Sequence, residues 1–296
     1  MIIIKSHREI DIMREAAKVT GEILRTLPEI IHPGISTADI NDFVEKKIAH
    51  YKMTPTFKGY GGFPAGACVS VNEEIVHGIP SRHRILREGN IVSVDTGATY
   101  RGYCSDAART YPVGMISAEA QKLIDVTRES FFAAMPYARA GHHLNEIGIS
   151  VQTYAESHGM GVIRDYLGHG VGRKLHEDPQ VPNYDIGRPG PKLKAGMVLA
   201  IEPMLCQGTF ETRTLDNEWT VVTADGLLSA HYENTCVITD GEPELLTLSE
   251  GGFIVWRRRM RLRVWERSLT RSRTRCSRSN LRMALRYWRT SPARSG

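Results

Sequence analysis

Long apolar runs are missing from this chain of 296 residues; none approaches the ~20 consecutive apolar residues that span a bilayer. The N-terminus, MIIIKSHREIDIMREAA, sets three isoleucines before a run of charges, too short for the apolar core of a secretory leader. Cysteine is scarce. In residues 1–250, Cys68, Cys104, Cys206 and Cys236 are widely spaced and form no CxxC pair. That excludes a disulfide framework and a zinc ribbon, and it fits reduced thiols in the cytoplasm. Compositional bias is also lacking: 41% hydrophobic and 24% charged residues lie near ordinary globular values, which excludes a disordered or fibrous chain.

One absence is local. Residues 251–296 contain no lysine and no aspartate, and Glu266 is their one acid against 14 arginines, a net +13. Residues 1–250 therefore carry −8, and the overall +5 averages an acidic body with a basic tail. The two parts need separate readings, and the average is no argument that the body binds nucleic acid. We expect a catalytic domain over residues 1–252 and an Arg-rich tail, irregular or disordered, over 253–296.

What is present in the body follows helix and strand periods. Ser6 and Glu9 form a capping-box pattern, and Ile10, Met13, Ala17, Thr20, Leu24 and Leu27 follow at helical spacing. His32-Pro33-Gly34 breaks the chain. Residues 36–51 predict a second helix with Ile40, Phe43, Val44 and Ile48 on one face, and residues 117–139 and 144–158 predict two more. The glycine-rich stretch 59–66 predicts a loop. Residues 68–71, 91–95, 197–201, 219–223 and 235–239 read as strands.

The two halves echo each other. Residues 86–95, LREGNIVSVD, resemble residues 193–202, LKAGMVLAIE, at an offset of 107, and Gly34 and Ile40 match Gly141 and Ile147 at the same offset. Two matches at one offset, each with helices before a strand, predict a duplicated α+β domain with a pseudo-twofold axis, strands central and helices outside. Asp95 and Glu202 then end equivalent strands and face each other across the axis.

Asp95, Asp106, His169, Glu202 and Glu233 each sit in or beside an apolar or glycine-rich stretch. Carboxylates in such places are costly to bury unless paired or bound to metal. One of them alone reads as a strand-end cap; five together do not. Four carboxylates and an imidazole form a mostly hard ligand set, suited to Co²⁺, Mn²⁺, Fe²⁺ or Zn²⁺. Four carboxylates at one spot repel, and two divalent cations balance them. Bridged by carboxylates, two metals promote hydrolysis of a carbonyl or phosphoryl bond. His77 and His176 lie in NEEIVHGIP and GHGVGRKLHEDP and read as donors to a substrate carbonyl or developing oxyanion. His7, His32, His50, His83, His142 and His158 read as ordinary structural residues.

On NEEIVHGIP, VSVDTG, YCSDAARTYPVG, GHGVGRKLHEDP, AIEPM and HYENT, the sequence resembles the type I methionine aminopeptidases of the pita-bread metallopeptidase fold, over about residues 4–250. The resemblance implies an α+β pita-bread fold, a central antiparallel sheet with outer helices. It implies that Asp95 chelates one metal, Asp106 and Glu233 bridge both, and His169 and Glu202 complete the other. Glu202 would also shuttle a proton, His176 would stabilise the tetrahedral intermediate, and His77 would hold the substrate backbone. Tyr60, Phe63, Cys68, Met204 and Trp219 would form the methionine pocket; the alternative for all five is ordinary core packing, which Cys68 taken alone favours. Asn72, Glu74 and Ser229 match positions that bind a monovalent cation in some relatives. The implied reaction is removal of the initiator methionine from nascent polypeptide N-termini when the second residue is small, by a monomeric enzyme.

An X-Pro aminopeptidase or prolidase shares fold and ligands but carries a long N-terminal domain, for which Asp95 leaves no room. A type II enzyme inserts a helical region between the last two ligands, whereas Glu202 and Glu233 are 31 residues apart. A pita-bread binding protein without catalysis is a further alternative, disfavoured by the intact ligand set. The tail departs from the family. Its arginines, with Trp256, Trp265 and Trp288 interleaved, suit RNA and a transient ribosome contact. The same composition suits a disordered segment, or an extension read from a shifted frame.

Overall fold

The computed structural model describes residues 1–248; the expectations for the tail fall outside them. Helix α1 (His7–Thr26) starts on Ser6, whose hydroxyl accepts from the Glu9 amide while Glu9 caps the Ser6 amide, so both halves of the predicted box form. Helix α2 (Thr37–His50) opens on a second such box between Ser36 and Asp39. Helix α3 (Ala118–Ala134) is shorter than the pattern predicts, because Pro136 cannot continue an α-helix and the chain tightens into a 3₁₀ turn at Met135–Tyr137. Helix α4 spans Leu144–Ser157. Among the described residues no helix is long and apolar enough to cross a membrane.

The duplication is visible to the residue. Ser36 bridges Ile85 in the first half and His143 bridges Lys192 in the second, both pairs related by the offset of 107. Gly34 and Gly141 both take left-handed φ, 98° and 94°, and donate to the carbonyls of Leu86 and Leu193. A side chain at either turn would be strained.

As expected, the strands are antiparallel; among the described residues they form five sheets, and one in each half carries a copy of the repeated strand. In the first, strand Ile91–Thr96 lies between Ala67–Val71 and Ala107–Pro112. In the second, Val198–Ile201 lies between Gly168–Gly170 and Asn234–Val237, with Glu177–Val181 and Glu244–Leu245 at the edges. The repeated strands Ile91–Thr96 and Val198–Ile201 are thus central in their sheets. Helices α1 and α2 bury Ile23, Leu24, Ile40, Val44 and Ile48 against the first sheet, with Leu27 from the turn after α1. Helix α3 buries Leu123 and Val126 with Met160, Val162 and Leu205.

Cross-links join the halves where the ligand-bearing strands meet. The Glu233 amide donates to the Ala108 carbonyl at 2.9 Å. The Thr235 hydroxyl donates to the Asp106 carbonyl at 2.7 Å and accepts from the Asp106 amide at 3.0 Å. The Thr110 hydroxyl donates to the His231 carbonyl and accepts from its amide. These bonds set Asp106 beside Glu233.

Candidate active site

Each ligand side chain is delivered by a strand or its end. Asp95 stands in the middle strand of the first sheet, opposite Cys68 on one side and Ala108 on the other. Asp106 immediately precedes the third strand, and Glu202 immediately follows the middle strand of the second sheet. His169 is flanked by Gly168 and Gly170, where bare backbone is needed: a Cβ on Gly168 would lie 2.4 Å from the Ala200 carbonyl oxygen, and one on Gly170 would lie 2.2 Å from that of Asp178.

The five groups converge. Ligating atoms of Asp106, His169 and Glu233 all lie within 4.8 Å of one another. His169 Nε2 is 3.5 Å from Asp106 Oδ2 and 3.6 Å from Glu202 Oε1. All five line one cavity of about 370 Å³. Glu233 is 1% exposed and Asp106 4%. Burial, with repulsion from neighbouring carboxylates, holds Asp95, Glu202 and Glu233 well above the ordinary carboxyl range. Burial pushes Asp106 up to about 8 and presses His169 down to about 4, so the imidazole stays neutral and free to ligate. Asp95 Oδ1, Asp106 Oδ1 and Glu233 Oε1 are buried with no hydrogen-bond partner. Buried, unpartnered carboxyl oxygens beside a neutral imidazole are the donor set a divalent cation satisfies, so these residues fit a metal centre.

The rest of the cavity combines donors with apolar walls. His77 and His176 both line it. His77 takes a left-handed φ of 59°, an uncommon backbone for a non-glycine residue and of the kind found at functional sites. Gly170 pairs with Glu177, so the chain between them folds back and brings the His176 ring to 4.1 Å from that of His169. His176 Nδ1 is 2.7 Å from the Tyr60 hydroxyl, and burial beside His169 presses this imidazole down to about 4. Tyr60, Phe63, Cys68 and Trp219 line the cavity, with Phe63 set edge-on to Trp219 at 5.2 Å.

Met204 is placed elsewhere: it is fully buried in the core with Ile75, Ile163 and Val221 and does not line the cavity. It follows Glu202 by two residues, in strand Met204–Cys206, which continues past Pro203 in the register of the strand before it. Asn72, Glu74 and Ser229 stand apart from the cavity. The Ser229 amide donates to the Asn72 carbonyl. The Asn72 side-chain oxygen accepts from the Ile91 amide, and the Ser229 hydroxyl donates to the Leu205 carbonyl.

His231 escaped sequence reasoning. Its Nε2 is buried, has no hydrogen-bond partner, and lies 3.6 Å from Glu202 Oε2 and 4.0 Å from Glu233 Oε2. The signal was its position two residues before Glu233, since alternate residues of an extended segment share a face. Tyr166 and Leu167, which also line the cavity, carried no such signal.

Two pseudo-symmetric antiparallel sheets that bring five ligand side chains to one cavity define a metallohydrolase. The pattern of metallopeptidase family M24 matches residues 11–240, and the chain belongs to that family. It is 57% identical to a methionine aminopeptidase of Clostridium acetobutylicum over 84% of this chain and 100% of that protein. It is 48% identical to methionine aminopeptidase 1 of Bacillus subtilis over 83% and 99%. The solved methionine aminopeptidase of Thermotoga maritima superposes with a TM-score of 0.83 at 44% identity, over 84% of this chain and 100% of that one. The Pyrococcus furiosus prolidase superposes at 0.67 and 25% identity, and this chain covers 66% of its length. The protein is a metal-dependent aminopeptidase.

Proposed function

We propose that the protein removes the N-terminal methionine from newly made polypeptides by hydrolysis at two divalent metals when the second residue is small. One observation carries this reading: the five ligands, His77 and His176 share a single cavity with an apolar wall of Tyr60, Phe63, Cys68 and Trp219. Such a wall suits an unbranched, polarisable thioether side chain. Divalent cations, when bound, supply Lewis acidity and an activated water nucleophile. Asp95, Asp106, His169, Glu202 and Glu233 would hold them, and Co²⁺, Mn²⁺, Fe²⁺ and Zn²⁺ all suit this donor set. A monovalent cation at Asn72, Glu74 and Ser229 is part of the proposal.

Glu202 moves the proton from water to the departing amine, a role that suits a carboxyl which burial beside Asp106 and Asp95 holds above its ordinary range. His176 donates to the developing oxyanion and His77 to the substrate backbone. A large second side chain would crowd the same cavity. The partners are nascent N-termini in the cytoplasm, met by a monomer, with the tail touching ribosomal RNA.

Release of methionine from Met-Ala-Ser with added Co²⁺ or Mn²⁺ tests the substrate, with Ala-Pro as the competitor. Cleavage of Ala-Pro without release of methionine would overturn the proposal in favour of an X-Pro peptidase. Ribosome binding by the full chain and by residues 1–252, across a salt series, tests the tail; equal affinity would remove the RNA reading.

A further inference from the structure

The loop that presents His176 is tied from inside by a residue at the far end of the sequence. Glu177, the next residue, pairs with Gly170 and closes the base of the loop. Its carboxylate turns inward. Oε1 accepts from the Lys174 amide at 3.3 Å, spanning the loop, and Oε2 accepts from Lys5 Nζ at 2.6 Å. The Lys5 and Glu177 side chains are only 3% and 5% exposed, an ion pair sealed from water. Lys5 Nζ also donates to the Ile3 carbonyl, and the Lys5 amide donates to the Gly196 carbonyl, on the turn before the strand that leads to Glu202.

The space is closed around the pair. A Cβ on Gly172 would lie 2.4 Å from Glu177 Oε1 and 2.7 Å from Lys5 Cε. One on Gly196 would lie 2.9 Å from the Lys5 carbonyl oxygen. Two glycine turns, one leading to His176 and one to Glu202, are thus moulded on the same lysine.

A sealed ion pair is a poor source of stability, because desolvation consumes most of the attraction, and apolar replacements of similar volume are commonly as stable. It is a good source of fixed geometry, since neither charge can be left unpaired. From this juxtaposition we infer that Lys5 and Glu177 are positioning residues, which hold the His176 imidazole at its catalytic distance from the site. The inference rests on the catalytic reading of His176.

The test compares Lys5→Met/Glu177→Leu, His176→Ala and the parent enzyme on Met-Ala-Ser, with melting temperatures alongside. The double variant is expected to melt at or above the parental temperature, keep KM within about twofold and lose about 10²-fold in kcat, the cost of misplacing one group by ~1 Å. Glu177→Gln serves as a second variant. Its amide oxygen still accepts from Lys174 but no longer neutralises Lys5, and the same loss of kcat at unchanged KM is expected in its folded fraction. If His176→Ala keeps the parental kcat, the reading of His176 falls and the inference with it. If His176→Ala loses kcat while both other variants keep it, the inference alone is overturned. A lowered melting temperature with parental kcat per folded molecule would reduce the pair to a structural role and overturn the inference as well.

Discussion

Stripping the metal should make the protein lose stability as pH rises through neutrality. Asp106 is the clearest group: unfolded, its carboxyl has its ordinary value of 3.8, whereas in the folded site burial lifts it to about 8. Between those values the folded state binds the extra proton, so stability falls as pH rises. The slope is about 1.4 kcal/mol per pH unit for each such carboxyl. The histidines act oppositely, and mostly at lower pH. Buried His169 and His231 are lowered from 6.5 to about 4 and about 3, so they weaken the fold as pH drops through 6.5, and their effect fades within about a unit above it. Across the window from about pH 6.5 to about pH 8 the carboxyls outweigh the histidines: Asp106 alone removes roughly 2 kcal/mol, whereas each such histidine returns about 0.4 kcal/mol. For a domain of this size that is a fall of roughly 4–8 °C in melting temperature. Asp95, Glu202 and Glu233 are raised as well and deepen it. Metal replaces those protons, so the loaded protein should show no such fall and, at a hundredfold excess over Kd, gain about 2.7 kcal/mol. Calorimetric scans of chelator-treated and Mn²⁺-loaded protein across the window measure both. Chelated protein that melts as high at pH 8 as at pH 6.5, or loaded protein that falls in parallel, would refute the reasoning.

Replacing Asp106 by Ala should abolish the metal pair and activity together, and calorimetric titration showing two filled sites would contradict its bridging place. Trp219→Ala removes the edge-on partner of Phe63 from the apolar wall; we expect KM for Met-Ala-Ser to rise about tenfold, worth ~1.4 kcal/mol, with kcat less affected, and an unchanged KM would argue that Trp219 does not touch the substrate side chain. Gly168→Ala sets a Cβ 2.4 Å from the Ala200 carbonyl oxygen and 3.0 Å from Val181 Cβ; backbone must shift beside His169, costing about 1–3 kcal/mol, which denaturant titration would register.

Much of the fold was legible because its signals are local or repeated. A capping box needs four consecutive residues, and the one read at Ser6 forms as soon as the helix does. The offset of 107 survives because both halves must make the same turn at Gly34 and Gly141 and the same bridge, Ser36 to Ile85 and His143 to Lys192. The ligands were legible for a related reason: carboxylates at the ends of apolar strands are too costly to bury without a purpose.

Sequence by itself thus determined the class of fold, the repeat and a hard, carboxylate-rich donor set. Tertiary structure decided the rest, because it depends on which distant segments share a small volume. Met204 looks like pocket lining in AIEPM, yet the fold seals it in the core with Ile75, Ile163 and Val221. His231 stands beside two ligands only because the halves are stitched through Thr110 and Thr235. Lys5 reads as one more surface charge until the fold carries it across 172 residues to Glu177 and closes water out. No local pattern encodes such a meeting, since its stabilisation appears only after the rest of the core has formed.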